Sequence, residues 1–179
     1  MRQPEVKVSN PVEELFFVIA PPPHIKSDVS VLKDDVQYLI GREYEGRYST
    51  AHISLFKFDD KRHFDEIIRE VERKALNFKP FNIFVKDMGL FHHGALRTII
   101  LEIVNKCHVQ DVFEKLVKKA SNYTPHITIA KKLEPDDVLK AWPYLEGFQY
   151  SQHFLCDRIT VLARRQNRWI HYKDILFGS

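Results

Sequence analysis

The sequence predicts a duplicated fold of mixed strands and helices, β-α-β-α-β laid down twice, and three observations predict it. Apolar residues alternate between period two and period 3.6 along most of the chain, which marks strands and amphipathic helices in turn. The order strand, helix, strand, helix, strand then occurs twice. In each copy the second strand carries a histidine, an apolar residue, a hydroxyl residue and another apolar residue: His52-Ile53-Ser54-Leu55 and His126-Ile127-Thr128-Ile129, with the two histidines 74 positions apart. A repeat of that length suggests duplication into two lobes related by approximate twofold symmetry.

The elements follow in order. LFFVIAPPP from Leu15 is a β-branched and aromatic run stopped by three prolines, which cannot continue a ladder. From His24 to about Ile40, Val29, Leu32, Val36 and Leu39–Ile40 fall at helical spacing, with Gly41 as the stop. AHISLFKF is the next strand. Asp59 opens an amphipathic helix with Phe64, Ile67, Ile68, Val71 and Leu76 on one stripe. FNIFVKDMGLF is a strand and HHG after it a turn. The second copy begins with the strand RTIILEIV and the helix HVQDVFEKLVKKA, whose apolar face is Val112, Phe113, Leu116 and Val117. PHITIAKKL is a strand. EPDDVLKAWPYLEG is a helix with acidic residues in its first turn, where the dipole favours them, ended or kinked by Pro143. FLCDRITVLARR reads as one long strand, and QN turns into a last strand, RWIHYKDILF.

At 179 residues the chain holds one core and falls short of two ordinary domains. It reads as a single domain over 1–179, with halves at roughly 13–93 and 96–170 and a strand after them. With 44% hydrophobic and 28% charged residues it is globular. No apolar run approaches a membrane span, and MRQPEVKVSNPVEE has no apolar stretch behind its charge, so neither a membrane partner nor a signal peptide is expected. The chain is read as a cytoplasmic monomer. Cys107 and Cys156 lie far apart and read as two reduced thiols. A net charge of +3 permits a small anionic ligand or an RNA end without demanding a protein that coats nucleic acid.

The histidine strands carry the chemistry. Because a strand alternates faces, His52 and Ser54 point one way, as do His126 and Thr128, while the residues between them point into the core. Each strand thus offers one imidazole and one hydroxyl. A single copy would mean little, since a half-buried strand histidine is common, but two copies in matching places of a repeat favour function. Imidazole takes or gives a proton near neutral pH, and two of them on opposite sides of one phosphorus do both in line. The hydroxyls of Ser54 and Thr128 suit the non-bridging phosphate oxygens. No cluster of carboxylates sits beside these strands, so no metal and no other cofactor is indicated.

AHISLF and YTPHITIA resemble the paired H-x-[ST]-hydrophobic signature of the two-histidine (2H) phosphoesterase superfamily, which includes the bacterial 2′-5′ RNA ligase (LigT-like) proteins and cyclic nucleotide phosphodiesterases. Pro125 before His126 fits as well. The resemblance implies a two-lobed, pseudo-symmetric α+β structure with the four motif side chains facing a central groove. It implies His52 and His126 as the catalytic acid–base pair and Ser54 and Thr128 as phosphate ligands. The implied activity is a metal-independent phosphodiesterase acting on 2′,3′-cyclic phosphate or 2′-5′ bonds of RNA or nucleotides, reversible in principle as 2′-5′ ligation. Its partners would be RNA ends, oligonucleotides or cyclic nucleotides. The alternative is a groove that binds an RNA end or nucleotide without turnover.

Further candidates for substrate binding are Tyr123, by stacking on a base or else as a packed loop residue, and Phe91, which ends the last strand of the first half. Of the lysines that trail the motifs, period two puts Lys132 on the face of His126 and Lys57 opposite His52, which favours Lys132 for phosphate. Arg164 and Arg165 close a strand near the C-terminus, and only one of an adjacent pair can face the groove. His92-His93 reads as a turn, and the remaining histidines as ordinary surface or packing residues.

Overall fold

The computed structural model describes residues 11–118 and 122–178. Residues 1–10, read above as lacking a signal-peptide core, and Lys119 and Ala120, expected to end a helix, lie outside them. Among the described residues no helix is long and apolar enough to cross a membrane.

Among the described residues, four α-helices and one eight-stranded antiparallel sheet make an α+β fold. In chain order these are β1 (Glu14–Ile19), α1 (Pro23–Ile40), β2 (Ile53–Phe58), α2 (Phe64–Ala75), β3 (Phe81–His93), β4 (Leu96–Ile103), α3 (Lys106–Val117), β5 (His126–Leu133), α4 (Pro135–Glu146), β6 (Ser151–Cys156), β7 (Arg158–Arg165) and β8 (Arg168–Leu176). The sheet order is β6-β3-β4-β5-β2-β1-β7-β8. Its middle is the pair β5 and β2, the two histidine strands, with β4 and β1 outside them. Beyond these the chain crosses over: β3 pairs with β4, and β7 with β1. Helices cross likewise, α1 packing on α4 and β5 while α2 packs on β8 and α3.

Local chemistry explains most boundaries. Pro23 begins α1 without needing a hydrogen-bond partner for its nitrogen, and Gly41 closes it in the left-handed conformation (φ 74°), its N–H donating to the Gln37 carbonyl. Ile25, Val29, Leu32, Val36 and Ile40 form the buried face of α1. In the middle of the sheet Ile53, Ile127 and Ile129 are fully buried, and Leu55 nearly so, whereas His52, Ser54, His126 and Thr128 are half-buried on the other face.

Several expectations are corrected. The helix expected from Asp59 is preceded by a 3-10 turn, Lys61–His63, capped by Asp60, whose carboxylate accepts from the Arg62 N–H at 3.2 Å. Leu76 lies beyond α2 and is 70% exposed, and Val117 at the end of α3 is also exposed. The HHG segment is not all turn, because β3 runs through His93 and the chain reverses at Gly94. Pro143 sits inside α4 without ending it. The backbone bond it forgoes falls at Leu139, an exposed residue.

The long strand expected from Phe154 to Arg165 is two strands. Asp157 separates β6, on one edge of the sheet, from β7, beside β1 on the other side. Both strands can be neighbours in sequence only because the sheet curls until its edges approach. There the Phe177 N–H donates to the Asp157 carbonyl at 2.8 Å, and the Phe177 ring stacks on Phe81 of β3 at 6.4 Å.

Candidate active site

Strands β2 and β5 meet at one antiparallel rung, Ile53 opposite Ile127. That register sets His52 across from Thr128 and His126 across from Ser54. All four side chains share the face opposite the buried isoleucines, as period two requires. The structure therefore brings together the two histidines and two hydroxyls that the repeat singled out.

Each imidazole is held in the same way. Nδ1 of His52 donates to the Thr50 carbonyl at 2.7 Å, and Nδ1 of His126 donates to the Thr124 carbonyl at 2.8 Å. A carbonyl only accepts, so Nδ1 carries the proton and Nε2 is the nitrogen left to the groove. Each ring also meets the edge of a phenylalanine: Phe16 lies 5.1 Å from His52 and Phe91 4.8 Å from His126, both at 84°. These contacts fix the ring planes. The phenylalanines come from strands that are not equivalent in the repeat, β1 and β3.

Burial away from water is the main force that holds the His52 pKa below the ordinary histidine range. The charges of Lys131, Lys33 and His126 add to it, against the pull of the Thr50 carbonyl. His126 is likewise lowered, first by burial and then by Lys131 and His93, with the Thr124 carbonyl opposing. Neutral imidazole is thus the favoured resting form of both.

The lysine assignment from sequence is overturned by a bulge. In the β4–β5 ladder Ile99 pairs with Ala130 and Ile100 with Thr128, so Ile129 is an extra residue. In the β1–β2 ladder Phe17 pairs with Phe56 and Val18 with Ser54, so Leu55 is extra at the matching place. An extra residue reverses the alternation beyond it. Lys131, not Lys132, then acts on both imidazoles. Lys132 adopts a left-handed conformation (φ 52°) and pairs with Glu45 at 2.9 Å. Lys57 for the same reason lies on the groove face, its ammonium 5.2 Å above the Phe16 ring.

The other candidates separate. Tyr123 is a packed residue, stacked on Phe113 at 4.1 Å, and its hydroxyl donates to the Ser54 carbonyl at 2.7 Å, tying the approach to β5 onto β2. Burial pushes its phenol well up. Arg164 lies 3.5 Å from both Glu13 and Glu14 and bonds Asn167 at 2.8 Å. Arg165 is half-buried, its Nε without a hydrogen-bond partner among the described residues.

Sequence reasoning missed several residues around the histidines. Thr50 and Thr124 stand two residues before each histidine, so the full repeat is T-x-H-I-[ST], and that wider pattern was readable. His93 shares a strand face with Phe91, and its ring lies 6.4 Å from that of Phe91. Lys33, 2% exposed, donates from Nζ to the Gly46 carbonyl (2.8 Å), the Ser49 carbonyl (2.6 Å) and the Ser49 hydroxyl (2.9 Å). It thereby pins the loop that delivers the Thr50 carbonyl. Its pKa falls to about 8, through burial first and then the charges of Arg47 and Lys131.

Comparison with known proteins finds relatives in sequence and in fold. A family model described as the 2′-5′ RNA ligase superfamily matches residues 21–168. A curated protein of Oceanobacillus iheyensis, named "Putative phosphoesterase OB1230", is 27% identical over 152 residues, spanning 76% of this chain and 86% of that protein. Among solved structures, TT0787 of Thermus thermophilus superposes with a TM-score of 0.64 at 12% identity, covering 93% of this chain and 99% of that one. LigT of Escherichia coli complexed with 3′-AMP gives a TM-score of 0.62 at 15% identity, covering 96% and 100%. At such identities the two structures show a shared fold.

Proposed function

This chain belongs to the 2′-5′ RNA ligase superfamily, and on that footing we propose that it is a metal-independent phosphodiesterase of RNA ends or nucleotides, opening 2′,3′-cyclic phosphates or cleaving 2′-5′ bonds. Membership supports a phosphodiesterase or ligase-like activity in general terms, and the finer reading comes from the groove. The observation that carries it is the matched pair of imidazoles, each with Nδ1 bound to the carbonyl two residues earlier and Nε2 left to the same face.

In the hydrolytic direction His126 takes a proton from water as the water oxygen bonds to phosphorus. His52, protonated at Nε2 for this step, gives that proton to the ribose oxygen as its bond to phosphorus breaks, leaving a phosphomonoester. With a 5′ hydroxyl in place of water as the nucleophile, and the 3′ oxygen of the cyclic phosphate leaving, the same proton transfers join a 2′-5′ linkage. Ser54 and Thr128 donate hydroxyl hydrogens to the non-bridging oxygens, and Lys131 offsets their growing charge. That LigT of Escherichia coli has been crystallised with 3′-AMP is consistent with a nucleotide ligand here.

The test is turnover of nucleoside 2′,3′-cyclic phosphates and short 2′-5′ oligonucleotides in EDTA. His52→Ala and His126→Ala are each expected to lose about 10²–10⁴-fold in rate. Activity abolished by the chelator, or unchanged in either variant, contradicts the reading. RNA binding without any product marks a groove that only binds.

A further inference from the structure

The repeat supplies a second groove-face cation whose place the catalytic reading leaves unused. Lys57 stands five residues after His52, as Lys131 stands five after His126. Regular alternation would put both on the core side, and the bulges at Leu55 and Ile129 return both to the groove. We propose that Lys57, with the rings of Phe16 and Trp169, forms a second phosphate subsite beside His52, which takes the phosphate one nucleotide away from the reacting one and makes an oligonucleotide end a better substrate than a lone nucleoside cyclic phosphate. This rests on the phosphodiesterase reading and adds a substrate class to it.

The local geometry holds the cation between two aromatic rings, with one carboxylate at ion-pair distance. The ammonium lies 5.2 Å from the centre of the Phe16 ring and 4.9 Å from that of Trp169. Aromatic faces position a cation without neutralising it, whereas a close carboxylate would do both. Glu14 forms an ion pair with Lys57 at 3.7 Å, longer than a hydrogen bond, and Lys57 stays half exposed. Glu14 is shared with Arg164, which Glu13 also flanks and which stands opposite Trp169 in the β7–β8 ladder. Arg164 thus meets two carboxylates and Lys57 one at longer range, which leaves Lys57 the less engaged of the two towards an incoming anion.

The path from the reacting centre is short. Phe16 touches His52 at 5.1 Å on one side and Trp169 at 5.3 Å on the other. A ring-to-ring step from the imidazole therefore reaches the wall beneath Lys57. A nucleoside whose 3′ end carries the cyclic phosphate at the histidines would lay its sugar and base along that wall, with its 5′ phosphate at Lys57. The aromatic wall suits this use because stacking tolerates any base.

Three probes test it: adenosine 2′,3′-cyclic phosphate, the same compound with a 5′ phosphate, and a diadenylate ending in a 2′,3′-cyclic phosphate. The wild type should prefer the two longer probes by about tenfold in kcat/KM, the worth of one charge-assisted contact. Lys57→Met should bring that ratio close to parity, Lys57→Arg should keep most of it, and added salt should shrink it. Equal kcat/KM for all three probes in the wild type, or a preference that survives Lys57→Met, overturns the subsite while leaving the phosphodiesterase reading intact. If no probe is turned over, that reading fails, and the subsite is judged by titrating tryptophan fluorescence with 5′-phosphorylated diadenylate. A change lost in both Trp169→Phe and Lys57→Met supports it, and no change overturns it.

Discussion

Ile53 stands opposite Ile127, both fully buried, at the rung where β2 meets β5. The rung joins the two copies of the repeat, and its register places each histidine across from the hydroxyl of the other motif. The spacing of the groove therefore depends on two aliphatic side chains that never face it.

Shortening either isoleucine should disturb both stability and chemistry. Ile53→Ala or Ile127→Ala is expected to cost about 2–5 kcal/mol, because a fully packed site collapses only in part around the void. The readout is the urea midpoint at unchanged slope. Turnover should fall as well under conditions where the variant remains folded, since misplacing reacting groups by about 1 Å costs on the order of 10²-fold. A variant as active as the wild type would show that the rung does not set the groove.

The lowered histidine pKa values give a signed prediction for pH. Burial disfavours the imidazolium in the folded state, so between the folded pKa and the unfolded value near 6.5 the unfolded chain binds more protons. The contribution of each histidine to stability is then whole above about pH 6.5 and lost as pH falls through the folded pKa. Urea midpoints of the wild type and His52→Gln, compared from pH 8 to 5, should converge towards the acid end. For the same reason the inflections of kcat/KM that belong to the free imidazoles should lie below about pH 6.5. An inflection above that value assigned to either histidine by its loss in the variant contradicts the burial argument.

Lys33 provides a test of how the first imidazole is held. Lys33→Met keeps the length of the side chain and removes three donated hydrogen bonds from the loop before Thr50. The loss of these charge-assisted hydrogen bonds should cost about 1.5–3 kcal/mol, read from the urea midpoint. The nitrogen NMR spectrum should then show His52 losing its single tautomer while His126, held by Thr124 on the other strand, keeps its own. Both rings changing together, or neither, would mean that the loop does not orient His52.

What the chain discloses of this arrangement depends on the kind of contact involved. His52, Ser54, His126 and Thr128 were legible because period two and duplication are both properties of residue type, and the same holds for most of the buried face of α1. The carbonyls that hold the imidazoles were not, because a backbone oxygen is supplied by any residue and only its repetition as Thr50 and Thr124 leaves a trace. The break at Asp157 was hidden because apolar alternation runs on through it, although the chain passes there from one edge of the sheet to the other side. The bulges were hidden most completely. Leu55 and Ile129 are ordinary strand residues, yet each reverses the facing of the lysine that follows it, Lys57 and Lys131.

That reversal yields the sharpest discrimination, between Lys131 and Lys132. Unbroken alternation assigns the phosphate-facing role to Lys132, whereas the bulge at Ile129 gives it to Lys131, whose charge acts on both imidazoles. Lys132 is turned aside by its left-handed backbone and engaged by Glu45 at 2.9 Å, an exposed pair worth about 0–1 kcal/mol. With a cyclic phosphate substrate, Lys131→Met should lower kcat/KM by about tenfold or more, the loss of a charge-assisted contact to a phosphate oxygen. It should also raise the histidine inflections, since a positive charge that opposed imidazolium is gone. Lys132→Met should leave kcat/KM within about twofold, as expected for an exposed pair with little net worth. The opposite ranking would mean that β5 runs straight past Thr128, with the alternation unbroken.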